Sequence, residues 1–278
     1  MRILVKVGGA QLELPDARRA LVRSVLQARE AGVEIVLVHG GGNQIRELAG
    51  RLSLPERYVD GLRVTDAATA EVVLMVLAGL VNKQLVAAFE EEGARAVGLC
   101  GADGSTFCAA PEVREVALGY VGSVARVDPQ LVLTLIGEGY VPILSTVAPL
   151  AAGTPGARDR FYNVNADLAA GPLSKAFGAS ALLFLTDVPG VLDAHKVLIR
   201  ELSPRSCAAL RADGVIHGGM IPKVDAALAA LAANPDALVK IAPSAATNAV
   251  LAALDPGAGT RFTTDSKRRE PAWTSTSS

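Results

Sequence analysis

Histidine and cysteine are scarce in this chain: three of each among 278 residues, with one tryptophan and 4% aromatic residues overall. Cys100, Cys108 and Cys207 are odd in number, share no CxxC spacing and have no histidine pair nearby. Neither a disulfide framework nor a zinc site follows from them, and free thiols suit a reducing compartment, so a cytoplasmic location is expected. An excess of charge is also missing, because 27 Lys and Arg oppose 28 Asp and Glu. That balance offers nucleic acid or an anionic membrane no electrostatic foothold, and neither is expected as a partner. One basic cluster, Lys267-Arg268-Arg269, sits in a polar stretch expected to be a solvated, disordered tail over residues 265–278. No uninterrupted apolar run has the length of a membrane span, and "MRILVKVGG" is too short for a signal core. Two nucleotide fingerprints are absent as well. Nothing matches GxxxxGK[ST], and no GxGxxG follows the first apolar run, which disfavours nicotinamide chemistry.

What is present is a regular alternation. Short apolar runs such as "RILVKV", "EIVLV", "VPILS", "ALLFL" and "ALVKI" are separated by stretches with helical spacing, the longest from about Ala67 to Glu92. Strands without internal alternation, each followed by a helix, predict a parallel sheet covered on both faces. "TFCAA" and "GYVGSVARV" read as a hairpin. Helices are expected from Asn165 to Gly178 and from Gly219, with a loop between "ALLFL" and Gly219. Gly and Pro concentrate in "APLAAGTPGARDR", which reads as a loop between two lobes.

Glycines fall where strands end or helices begin: Gly8-Gly9, Gly40-Gly41-Gly42 and Gly218-Gly219. Beyond the carboxyl ends of parallel strands such glycines let backbone amides approach an anion, and a following helix N-terminus adds a favourable dipole. Two lysines sit where a cation is unwelcome. Lys6 lies inside an apolar strand, where an unpaired charge costs several kcal/mol. Lys223 falls in a helix's first turn, which already carries partial positive charge. One polyphosphate answers both. Asn163, Asn165 and Asp167 precede a helical run, where an N-cap explains one of them but not all three. Asp167 is expected between the two lysines, holding them in position. Arg63 has the fork to grip a substrate carboxylate, with Thr65 or Asp66 capping the long helix. His39 and His217 both adjoin glycine turns, where packing and ligand contact are equally open, and neither is assigned as a base.

"KVGGA", "VHGGGNQI", "GLRVTD", "GLVNKQLV", "GLCGADG", "YNVNADLAA", "LLFLTDVPGVL" and "GGMIPKV" occur in the order and approximate spacing of the amino acid kinase family, which the chain resembles from Arg2 to about Arg261. Within that family it is most similar to the enzymes that phosphorylate the side-chain carboxylate of N-acetyl-L-glutamate in arginine biosynthesis. A kinase for N-succinylglutamate or for carrier-protein-linked aminoadipate or glutamate is the alternative. The resemblance implies a three-layer αβα sandwich around an open, mainly parallel sheet. It places an amino-acid-binding and dimerisation lobe at 1–155 and an ATP lobe at 156–264. It makes Lys6, Lys223 and Asp167 catalytic, and it puts the acceptor on Gly40, Gly41, Arg63 and Asn163. ATP falls to Gly8, Gly9, Thr186, Asp187, Gly219 and Met220, and Mg2+ is held through the nucleotide phosphates with no protein ligand. The chain departs from the family at "KIAPSAATNAV", where such kinases carry an Ile-Asp-Gly-Arg-like stretch, and its loop after "GVLDAHKV" is short. It also starts on its first strand, without the N-terminal helix of arginine-inhibited relatives. A homodimer joined through the helix containing Val81-Asn82-Lys83, without strong arginine feedback, is therefore expected.

Overall fold

A computed structural model describes residues 1–8, 10–154, 160–245 and 248–265. The apolar runs become strands that alternate with helices. In chain order these are β1 (Arg2–Val7), α1 (Ala10–Glu13), α2 (Pro15–Glu30), β2 (Glu34–His39), α3 (Gly42–Arg51), β3 (Tyr58–Val59) and β4 (Leu62–Arg63). The long helix follows as α4 (Ala67–Leu74), a π-helical stretch (Met75–Val81) and α5 (Asn82–Glu91). Then come β5 (Ala96–Leu99), β6 (Phe107–Pro111), β7 (Val121–Val127), α6 (Gln130–Gly137), β8 (Val141–Ser145), β9 (Val147–Pro149) and β10 (Phe161–Val164). The remainder is α7 (Ala166–Ala176), β11 (Ala181–Thr186), β12 (Glu201–Leu202), α8 (Pro204–Ala212), α9 (Met220–Ala233), β13 (Leu238–Pro243), α10 (Ala249–Leu254) and β14 (Thr260–Phe262).

Eight strands form the central sheet in the order β12-β14-β13-β11-β1-β2-β8-β5, parallel except where β13 meets β14. Its two faces carry the two main apolar clusters. Ile3, Val5 and Val7 enter one with Ile35 and Leu37, while Leu4, Val36, Val38 and Leu182 enter the other. This is the strand's period of two: successive side chains go to opposite layers. The eight-stranded sheet takes strands from both sides of residue 155. That position falls outside the described residues, inside the connection between the antiparallel partners β9 and β10. A four-stranded sheet, β6-β7-β10-β9, contains the expected hairpin of β6 and β7.

Two expectations change. The stretch read as a loop before Gly219 contains α8, started by Pro204 and a capping box between Ser203 and Ser206. Its apolar periodicity is weak, so the stop-and-start signals had to be read instead. The helix Ala67–Glu91 does have the length and apolar composition of a membrane span, yet half of its most apolar window is buried inside the protein. Val72, Val76, Leu85 and Phe89 pack onto the sheet, which explains the composition as that of a core helix.

The packing that matters for function is between α7 and α9. Gly171 of α7 lies so close to α9 that a Cβ would fall 2.8 Å from Ala230 Cα. Each of these helices leads into a parallel strand, β11 or β13, so both N-termini lie at the carboxyl end of the sheet. Asp167 and Lys223, each in a first turn, are thereby delivered to the same end as the last residues of β1 and β2.

Candidate functional site

Lys6 shares its sheet face with Leu4, flanked in register by Val38 and Phe184. Its side chain is 9% exposed, and Nζ meets Asp167 Oδ1 at 2.6 Å. The burial that makes a strand lysine costly is thus offset by a carboxylate in the first turn of α7. Asn165 caps that turn, its Oδ1 accepting from the amides of Asp167 at 2.9 Å and Leu168 at 3.2 Å. Of Asn163, Asn165 and Asp167, Asn165 is accounted for by capping alone.

The ion pair stands at the junction of two cavities. The first, about 260 Å3, is lined by Lys6, Gly8, Asp167, Thr186, Asp187 and Lys223, among others. Both lysines therefore face one space. The Thr186 hydroxyl donates to Asp187 Oδ1 at 2.8 Å. That hydrogen bond, with smaller help from its own backbone amide and least from the charge of Lys223, holds the Asp187 carboxyl below its usual range. Asp167 was expected to hold both lysines; among the described residues its ion pair is with Lys6, and Lys223 lines the same cavity as Asp187 without an ion pair. Gly8 lines the cavity with its amide covered by Gln11 Oε1 at 3.0 Å, so an incoming anion has to displace that side chain. Gly9 lies outside the described residues. Gly219 is the N-cap of α9 and Met220 its first residue. The structure does not bring these two to the cavity lining, and Met220 packs half-buried against the core instead.

The second cavity, about 240 Å3, is lined by Gly40, Gly41, Arg63, Thr146 and Asn163, and shares Lys6 and Asp167 with the first. Arg63 is buried, its Nη1 on Glu56 Oε1 at 2.7 Å and its Nη2 on the Gly42 carbonyl at 3.0 Å. Two of its five donors are spent there, leaving others for an acceptor carboxylate. Glu56 is held ionised below its usual range by the Tyr58 hydroxyl and by Arg63 and Arg46. Asn163 Nδ2 reaches Thr65 Oγ1 at 3.3 Å, and Thr65 in turn donates to the Arg63 carbonyl, so Asp66 takes the capping role for α4. Gly41 packs on the long helix, where a Cβ would fall 2.7 Å from Leu77 Cδ2.

Among the polar lining residues, sequence reasoning missed Gln11, Asn43, Tyr58 and Thr146. Gln11 lies three residues after Gly8, an offset that suits a side chain folding back on that amide. Thr146 carried no signal, since a threonine beside a strand end is ordinary. Its hydroxyl is buried without a hydrogen-bond partner among the described residues. His39 is fully buried, and burial pulls its pKa down to about 4. His217 is exposed at the start of the α9 turn. Among the described residues no three His, Cys, Asp or Glu stand together as a metal site.

Two cations and glycine amides at the carboxyl ends of parallel strands, opening on a chamber with a buried arginine, make a cleft suited to a polyanion beside a small acid. The chain belongs to the amino acid kinase family, whose profile matches residues 1–240. It is 43% identical over 269 residues to the acetylglutamate kinase of Rhodopseudomonas palustris, covering 93% of this chain and 88% of that one. It is 44% identical to the acetylglutamate kinase of Gloeobacter violaceus, covering 83% and 76%. In fold it is similar to the Giardia lamblia carbamate kinase bound to AMP-PNP, at 18% identity and a TM-score of 0.70 over 95% of this chain and 98% of that one.

Proposed function

We propose that the protein transfers the γ-phosphoryl group of ATP to the side-chain carboxylate of N-acetyl-L-glutamate, giving N-acetylglutamyl 5-phosphate and ADP in arginine biosynthesis. One observation carries this: Lys6 and Lys223 line one cavity, and the Lys6–Asp167 pair joins it to the chamber of Gly40, Gly41, Arg63 and Asn163. The name carried by the relatives at 42–44% identity supports the same choice of acceptor.

A carboxylate oxygen attacks the γ-phosphorus while the bond to the bridging β–γ oxygen breaks, and ADP leaves with that electron pair. The nucleophile is ionised at neutral pH, so no general base is required. Catalysis is alignment plus neutralisation of spread negative charge. Lys6 and Lys223 supply the cations, with Asp167 fixing Lys6. Arg63 and Asn163 hold the acceptor's α-carboxylate and acylated amine, the Gly41 amide faces the reacting groups while that of Gly40 is tied to the Val7 carbonyl, and Thr186 and Asp187 border the nucleotide. Mg2+ would arrive with the nucleotide and be held through its phosphate oxygens, where it would neutralise part of their charge.

The residues before 155 carry most of the acceptor chamber, with Asn163 and Asp167 added from beyond it, and those after 155 carry most of the nucleotide side. A homodimer through the long helix is supported by Met75 and Leu80, which are 52% and 49% exposed on it. Val81 and Asn82 are buried within the protomer, so they are not part of that face. A cytoplasmic setting suits the three free, buried cysteines.

The test is a hydroxamate assay with N-acetylglutamate, N-succinylglutamate and free glutamate as competing acceptors. N-acetylglutamate is expected to give the highest kcat/KM, and ADP formation with none of the three would end this assignment.

A further inference from the structure

Behind the Gly40–Gly42 turn runs a chain of buried polar groups that the chemistry above leaves unused. His39 ends β2 on the face of the long helix, pointing away from the Lys6 side of the sheet. Its Nδ1 lies 3.0 Å from the Gly40 carbonyl and its Nε2 lies 3.1 Å from Asn82 Nδ2. Asn82 is oriented by three partners. Its amide nitrogen also donates to the Ile143 carbonyl at 3.0 Å, and its oxygen accepts from Lys83 Nζ at 3.2 Å. A carbonyl only accepts and an amide nitrogen only donates, so the imidazole proton sits on Nδ1 and Nε2 is bare. Lys83 is itself tied to the Gly98 carbonyl at 3.0 Å. At Gly98 a Cβ would fall 1.7 Å from Asn82 Oδ1, so glycine there makes room for the amide.

This network acts on a single peptide plane. The Gly40 carbonyl and the Gly41 amide belong to one trans peptide and point in opposite directions. Drawing the carbonyl back onto buried His39 turns the Gly41 amide away from the core. Gly41 lines the acceptor chamber, and its amide has no hydrogen-bond partner among the described residues. We infer that Asn82, by selecting the Nδ1–H tautomer of His39, is a positioning residue that aims the Gly41 amide at the phosphoryl group in transfer. The inference rests on the kinase reading above and extends it to two residues that touch no substrate. Burial keeps His39 neutral, so at neutral pH the device is a choice of tautomer and not a titration.

The tests separate geometry from mere packing. In Asn82→Asp the carboxylate can only accept, which draws the imidazole proton to Nε2 and leaves Nδ1 facing a carbonyl. Lys83 supplies the countercharge that keeps the variant folded. Expected is a drop in kcat of roughly 100-fold, the scale of one lost anion-stabilising donor, with KM for ATP within about twofold. Nitrogen NMR of the imidazole should show the proton moving from Nδ1 to Nε2. The histidine variants give an independent arm, because an asparagine amide nitrogen falls near Nδ1 and a glutamine amide nitrogen near Nε2. His39→Asn should therefore keep roughly ten times more kcat than His39→Gln, as expected when one variant retains the Gly40 contact and the other does not. Unchanged kcat in Asn82→Asp, or His39→Gln outperforming His39→Asn, overturns the inference. So does an Nε2-protonated His39 in the wild-type protein, a reading that needs no turnover and survives even if the acceptor assignment fails.

Discussion

Two glycine turns that look alike in the sequence, Gly40–Gly42 and Gly218–Gly219, are physically opposite. The first is packed and tied: Gly41 presses on Leu77, the Gly40 carbonyl is drawn to His39 and the Gly42 carbonyl to Arg63. The second is open, with no atom within 4 Å of a Cβ at either position and with Gly218 at φ +53°. In the first turn it is Gly41 that a close neighbour requires. In the second, only Gly218 is required, and by its own left-handed backbone. A preorganised turn on the acceptor side thus faces a loosely held helix start on the nucleotide side, where Lys223 waits one turn in.

The sharpest test of that division is Lys223→Ala. Lys223 lies on the exposed start of α9 and has no ion pair among the described residues, so its loss should leave folding intact while kcat falls about 10³-fold. Circular dichroism with steady-state kinetics checks both halves, and a large loss of thermal stability would show the loose side to be structural after all.

The tied side should reveal itself through pH. His39 has its pKa lowered from 6.5 to about 4, chiefly by burial, with Lys83 adding to the shift. Between those values the unfolded chain binds the proton and the folded one does not. Stability is therefore full above pH 6.5 and is lost as pH falls toward 4, by about 3 kcal/mol. Urea titrations across that window should show the slope in the wild-type protein and a flatter one in His39→Asn.

The smallest effect compares the glycines directly. Gly41→Ala should lower kcat/KM for the acceptor about tenfold, because Leu77 must give way and the turn must shift, an overpacking cost of roughly 1–3 kcal/mol. Gly219→Ala should remain within about twofold of wild type, since its φ of −65° suits alanine and the space is open. Equal effects in the two variants would erase the contrast.

The strands were legible because parallel strands buried on both faces read as unbroken apolar runs, as "RILVKV" and "ALLFL" do. Lys6 and Lys223 stood out because each occupies a position where a cation is costly. The roles of Gln11 and Thr146 were not legible, since each depends on a neighbour that only folding brings near. The His39 network was hidden for the same reason: Asn82 is 43 residues from His39, and Ile143, whose carbonyl orients Asn82, is a further 61 beyond it. Gly219 and Met220 show the converse error. A motif places them at a helix start, but the rotation of α9 turns Met220 onto the core.

Local chemistry along the chain settled which segments become strands and helices, where helices start, and which cations need an anion. Those outcomes depend on period, capping and charge, all of them short-range. What folding alone decided was which partner a charged or polar group found: Asp167 for Lys6, Glu56 for Arg63, and a histidine proton for the Gly40 carbonyl. Hydrogen bonds and ion pairs act over a few ångströms, and separation along the chain does not predict which groups will come that close.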